Sequence, residues 1–133
     1  MTYDEKVAFL RSYKDLRDNL IAYHEEVKEL ELSMLPRGIH ISDMPKRGGS
    51  DDPMGDFGAE FWRIDQKIIR TQRQMIRIVA VINQLEKSEP LCHRLLVERY
   101  IKMRTMREQE RVLQMSRNTV RKYHRIAIER LRI

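Results

Sequence analysis

Between Met115 and Arg132 the chain reads MSRNTVRKYHRIAIERLR, which sets Arg117, Asn118, Arg121, Lys122 and Arg125 at helical spacing around a hydrophobic skeleton. The skeleton is Val120, Tyr123, Ala127, Ile128 and Leu131. These residue types do recognition chemistry. Arginine can give two hydrogen bonds to O6 and N7 of guanine, asparagine can pair with N6 and N7 of adenine, and lysine or arginine displaces counterions from a phosphate backbone. A helix of this pattern packs inward on one side and presents cations on the other. The simpler reading of the same residues is a solvated basic surface.

The charge distribution favours recognition. From residue 88 onward there are twelve Lys and Arg against five Glu, and before it fourteen Lys and Arg against fifteen Asp and Glu, so the excess positive charge of the chain lies in its last third. A basic patch confined to one folded unit is the electrostatic footprint of a nucleic-acid binder.

Other chemistry lacks its parts. His24, His40, His93 and His124 fall in separate segments. Cys92 beside His93 has neither the paired spacing of a structural zinc site nor a helical i, i+4 partner. There is no Gly-rich phosphate loop, and Ser33, Ser42 and Ser50 stand in no nucleophile-elbow context. Asp51, Asp52, Asp56 and Glu60 lack the spacing of a calcium-binding loop. His124 reads as a polar surface residue, and the eight Met as plastic packing. No enzyme, cofactor or metal is expected. The longest uninterrupted apolar run, 78 to 82, is far shorter than the ~20 residues of a membrane span, and no apolar segment follows Met1. The lone Cys92 fits a reducing, cytoplasmic compartment.

The elements that position this chemistry follow from periodicity. Phe9, Tyr13, Leu16, Leu20, Tyr23, Val27, Leu30 and Met34 form a heptad seam, which predicts one helix over 3 to 35, stopped by Pro36. Phe61, Ile64, Ile68, Thr71, Met75, Ile78, Ile82 and Leu85 repeat the pattern and predict a second helix over 58 to 87. Residues 36 to 57 between them, rich in Gly and Pro, read as a connector. Two such stripes should fold back as an antiparallel hairpin, because neither buries its apolar face alone. Trp62, Ile69, Ile76 and Val79 widen the second face, which calls for cover by the C-terminal unit or by a second chain, a homodimer or another partner. Ser88 as N-cap and Pro90 in the first turn open a third helix, with Leu91, Leu95, Leu96, Tyr100 and Met103 on one face, ending near Arg104. The expected fold is all-α, with the hairpin in residues 1 to 87 and a three-helix unit in 88 to 133.

The string LLVERYIKMRTMREQERVLQMSRNTVRKYHRIAIERLR resembles sigma-70 region 4 as found in phage-encoded transcriptional regulators of the ArpU and RinA kind. The loop string MPKRGGSDDPM is also similar to the linker of phage regulators with a paired-helix N-terminus. The resemblance implies a helix-turn-helix, with a short helix over 106 to 113, a turn at Gln114 and Met115, and a recognition helix over 117 to 131. It further implies that Ser116 caps the recognition helix, while Arg117, Asn118, Arg121 and Lys122 face the major groove and flanking phosphates. Arg125 and Lys102 are placed on phosphates, and Thr119 on a thymine methyl or in packing. The chain departs from the family pattern at Gln109 and Glu110, where the family has an apolar residue followed by Ala. Glu110 is expected on the face of Met103, Met106 and Leu113, where an unpaired carboxylate would cost several kcal/mol, on the order of the general penalty for burying a charge. Gln114 stands where Gly commonly makes the turn.

The leading expectation is a phage or prophage transcription regulator in the bacterial cytoplasm, binding double-stranded DNA and contacting RNA polymerase or a second copy through the hairpin. Two alternatives remain. One is an interaction module with a degenerate helix-turn-helix that binds a host or phage protein, and the other a DNA-packaging protein like a small terminase subunit.

Overall fold

The computed structural model describes residues 1–34 and 53–133, with side chains from 57 onward in the second segment. Among the described residues there are five α-helices and no strand: α1 Tyr3–Met34, α2 Pro53–Asn83, α3 Pro90–Leu96, α4 Met106–Leu113 and α5 Arg117–Arg130. A single π-helical turn, Val97–Ile101, extends α3. None of the helices is long and apolar enough to cross a membrane, and no group of three or more His, Cys, Asp or Glu is placed to hold a metal ion among the described residues. The connector expected over 36 to 57 lies largely outside the described residues, as do Asp51, Asp52 and the Asp56 side chain.

α1 begins where Thr2 and Glu5 exchange hydrogen bonds. The Glu5 backbone N–H donates to Thr2 Oγ1 at 3.2 Å, and the Thr2 N–H donates to Glu5 Oε2 at 3.4 Å. This reciprocal arrangement satisfies donors that have no partner within the helix. The expected seam of α1 is half-buried, whereas Leu10, beside the seam, is its fully buried residue. In α2 the seam holds more completely, with Ile64, Ile68, Thr71, Ile78 and Ile82 buried.

α2 ends four residues earlier than the periodicity predicts. After Asn83 the backbone tightens, with Gln84 N–H donating to Val81 O, Leu85 N–H to Ile82 O and Glu86 N–H to Asn83 O. These i→i+3 bonds use carbonyls left over at a helix end. The same turn carries Leu85 into the core and lets Gln84 grip the chain terminus, its amide donating to Arg132 O at 2.8 Å and accepting from Arg132 N–H at 3.2 Å.

α3 corrects two expectations. Its N-cap is Glu89, without a side-chain cap bond, rather than Ser88, which is exposed. The Glu89 carboxylate is engaged by Arg130 of α5 instead. Pro90 does occupy the first turn. The helix ends at Ile101, short of Arg104, because the π-helical turn widens its last turn: Lys102 N–H reaches Val97 O and Arg104 N–H reaches Glu98 O. Met103 then turns into the left-handed region with φ 56, so it leaves the helix face it was expected to share.

The chain divides into two compact units, one formed by Met1–Asp18 with Arg73–Ile133 and the other by Asn19–Gln72. The start of α1 and the end of α2 thus belong to the same compact unit as the C-terminal helices. In the larger unit Leu10, Ile78, Val81, Ile82 and Leu85 share a single core with Cys92, Leu95, Leu96, Tyr100, Leu113, Val120, Ala127, Ile128 and Leu131. In the smaller unit Ile64, Ile68 and Thr71 are buried, and Lys67 Nζ lies 5.9 Å from the Tyr23 ring centroid.

Candidate nucleic-acid interface

α4 and α5 are joined by three residues whose backbone is fixed at each step. Gln114 closes α4 in the left-handed region, φ 54 and ψ 48, and Met115 N–H donates to Glu110 O at 3.1 Å. Ser116, extended at φ −70 and ψ 159, is the N-cap of α5, and its Oγ accepts from Thr119 N–H at 3.3 Å. The left-handed residue is thus Gln where Gly would be least strained. At the other end of α4, Thr105 and Glu108 form a capping box. The cue was legible in the sequence as T-x-x-E.

Burial then fixes which face of α5 is free. Val120, Ala127, Ile128 and Leu131 are buried, and Tyr123 is half-buried. Asn118, Arg121, Lys122 and Arg125 are exposed. Arg121, Lys122 and Arg125 have no carboxylate within 4.0 Å among the described residues, and the first turn of α5 contains no acid. The helix therefore presents uncompensated positive charge, to which its own N-terminal dipole adds.

The remaining candidates are placed differently. Arg117 is exposed, but its Nε donates to Glu110 Oε1 at 3.0 Å. Glu110 is half-buried at 29% exposure and its carboxylate is paired, so no unpaired charge is buried there, while its neighbour Gln109 is 1% exposed. Residues 109 and 110 flank the line through 106 and 113 on opposite sides, and it is the side of 109 that is turned to the core. Gln109 Nε2 donates to Arg104 O at 3.1 Å, while its Oε1 is buried without a partner. Thr119 is half-buried and its hydroxyl bonds to Ser116 Oγ at 2.8 Å. Lys102 Nζ donates to Glu98 Oε1 at 2.9 Å.

Glu98 was not singled out by the sequence, yet it anchors the segment before α4. Its carboxylate is 5% exposed and also accepts from Arg104 Nε at 2.6 Å. Burial alone would raise its pKa, but the hydrogen bonds and charges of Lys102 and Arg104 prevail and hold it below the usual carboxylate range. Arg104 in turn reaches Glu108, at 3.4 Å.

His124 corrects another expectation. It is buried rather than on the surface, with Tyr100 Oη 2.6 Å from Nε2 and Tyr3 Oη 3.2 Å from Nδ1. A neutral imidazole donates from one ring nitrogen and accepts at the other, so it suits two hydroxyls. Burial, then the charges of Arg99 and Arg11, lower its pKa to about 4. Tyr3 comes from the first turn of α1, and Lys6 Nζ adds a bond to Glu129 O at 3.5 Å, so the start of α1 is fastened along α5. Cys92 is also buried, which raises its pKa and leaves the thiol poorly reactive.

On α2 Trp62 and Ile76 are each 66% exposed, while Ile69 and Val79 are half-buried.

Comparison with known protein families, curated proteins and solved structures returns no match to this chain.

Proposed function

We propose that this chain is a transcription regulator of phage or prophage type that binds duplex DNA, with α4 and α5 as a helix-turn-helix and α5 as the recognition helix. The observation that carries the reading is the outer face of α5: Asn118, Arg121, Lys122 and Arg125 exposed, and its three cations without carboxylate partners among the described residues. Asn118 and Arg121 are the base readers, and Lys122 and Arg125 the phosphate contacts. Arg117 takes a secondary part, because Glu110 already holds it; recruiting it to DNA requires breaking that pair. Lys102 acts through Glu98 as a brace and not as a phosphate ligand. The resemblance to sigma-70 region 4 regulators supplies the regulatory assignment, with RNA polymerase as a further partner.

The antiparallel hairpin belongs to the same proposal. Within each unit α1 packs on α2, Arg77 lying 5.6 Å from the Phe9 ring centroid in one and Lys67 over Tyr23 in the other. Exposed Trp62 favours a second use of α2 as a contact for a second copy or for another protein.

Fluorescence anisotropy on mixed-sequence duplex DNA tests the reading. Arg121→Glu with Lys122→Glu should lower affinity at least ~100-fold at low salt, because a base contact and a phosphate contact are both replaced by charges that repel the polyanion. Both residues are exposed, so helicity should be unchanged. An unaltered affinity in this variant refutes the proposal.

A further inference from the structure

The flank of α5 opens onto a groove whose opposite wall is α1. One cleft of about 880 Å³ is lined by Arg11 of α1, Arg99 of the π-helical turn, and Arg121 and Arg125 of α5, with His124 among its walls. A second cleft of about 430 Å³ also contains Arg11 and Arg99 and continues to Lys14. The two clefts adjoin at Arg11 and Arg99, which line both. Asp4 and Asp15 also line the first cleft, yet none of Arg11, Lys14, Arg99, Arg121 and Arg125 has a carboxylate within 4.0 Å among the described residues. Five cations therefore line these two clefts against two acids, and none is in an ion pair among the described residues.

The α1 wall is fixed in place by the core and not by the charges themselves. Leu10 is 0% exposed beside Arg11, and Tyr3 is bonded to His124. Holding like charges together in this way costs free energy that a bound anion returns. His124, whose pKa is lowered first by burial, is lowered further by the charges of Arg99 and Arg11.

We propose that the first turns of α1 are part of the DNA-binding surface, and that Arg11 and Lys14, with Arg99, carry the sugar-phosphate backbone beside the bases read by α5. The inference rests on the proposed function above and extends it to a segment more than one hundred residues away in sequence. Cations spread over two adjoining clefts match an extended polyanion better than they match a single compact ligand. The contact fixes position and affinity and reads no sequence.

The test compares the full-length wild type with Arg11→Gln/Lys14→Gln, with Arg121→Gln, and with Arg70→Gln/Arg73→Gln, a pair of exposed α2 cations removed as a charge control. Affinity for a mixed-sequence duplex is followed by anisotropy from about 0.05 to 0.3 M salt, with thermal midpoints measured alongside. Loss of two phosphate contacts should reduce the salt slope of Arg11→Gln/Lys14→Gln by about 2 and weaken binding ~10-fold or more near physiological salt. The control pair should keep the wild-type slope. If Arg121→Gln weakens binding while the α1 pair behaves as wild type, the proposed function stands and this inference falls. The inference also falls if the control pair loses as much as the α1 pair, because net charge then accounts for the effect. Absence of binding by the wild type at the lowest salt overturns the proposed function and this inference with it.

Discussion

A proton on His124 would have to enter a site built for a neutral ring. The imidazole is 7% exposed, held by two tyrosine hydroxyls, and faces the charges of Arg99 and Arg11. Its folded-state pKa is lowered from 6.5 to about 4, so the unfolded chain binds this proton first as pH falls. The stabilisation is complete above the unfolded value, declines from pH 6.5 to about 4, and does not change further below that. A gap of about 2.5 pH units corresponds to on the order of 3 kcal/mol. Urea denaturation at several pH values should show the decline in the wild type and a flatter profile in His124→Gln. Glu98 titrates on the acid side of the same range: its lowered pKa gives stability that is present above the ordinary carboxylate value and lost as pH falls through the folded one. The interval from 6.5 to 4.5 thus isolates His124, and parallel profiles there for wild type and variant would remove the histidine as the cause. Its role was hidden in the sequence because its neighbours Arg121, Lys122 and Arg125 are surface residues and its partner Tyr3 lies 121 positions away. Glu98 was hidden for a related reason, as an unremarkable acid whose second cation is six positions on, across a turn no local rule foresees.

Elements with strong local signals were legible, and those shaped by tertiary contacts were not. α4 and α5 run close to the spans expected, because their ends are set by nearby chemistry: Ser116 as cap, Gln114 as the left-handed close, and apolar residues at helical spacing between. α2 ends early in a turn that brings Gln84 to Arg132, a contact 48 residues distant that the local sequence does not announce. The π-helical turn that follows α3 likewise has both Glu98 and Tyr100 buried, which no local pattern foretells. The cap of α4 allows a local test. Thr105 Oγ1 accepts from Glu108 N–H at 3.3 Å, and the Glu108 carboxylate accepts from the Thr105 hydroxyl at 3.1 Å. Replacing Thr105 by Ala should cost about 1 kcal/mol, read as a lower denaturant midpoint with an unchanged m-value. A midpoint equal to wild type would mean that tertiary packing alone sets the start of α4. The same variant should weaken DNA binding only slightly, since Leu113 still anchors α4 in the core.

At the scale of the whole molecule, charge placed the candidate interface in the last third, but the unit that supports it is not a contiguous segment. Heptad seams marked the inward residues of α2 better than those of α1, where Leu10 beside the seam is the buried one, and they did not tell which partner either helix meets. Leu10 from α1 and Ile78, Val81, Ile82 and Leu85 from α2 and its exit turn enter the same core as Val120 and Ile128 beneath the candidate recognition helix. A fragment of residues 88 to 133 has the helices α3 to α5 but loses those five side chains. Forty-six residues are also near the lower limit at which a core without disulfides or metal sustains a fold. The fragment should therefore lack a cooperative thermal transition and disperse poorly in NMR spectra, although its local caps allow partial helicity. In the full chain, Leu10→Ala should cost about 2 to 5 kcal/mol, the range for emptying a packed core site, while leaving the cations of α5 untouched. Measured by urea denaturation, a cost below about 1 kcal/mol would show that α1 merely rests on the C-terminal helices. A cooperatively folded fragment with native chemical shifts would lead to the same conclusion. The larger cost, together with an unfolded fragment, would establish that α1 and α2 complete the unit that presents α5.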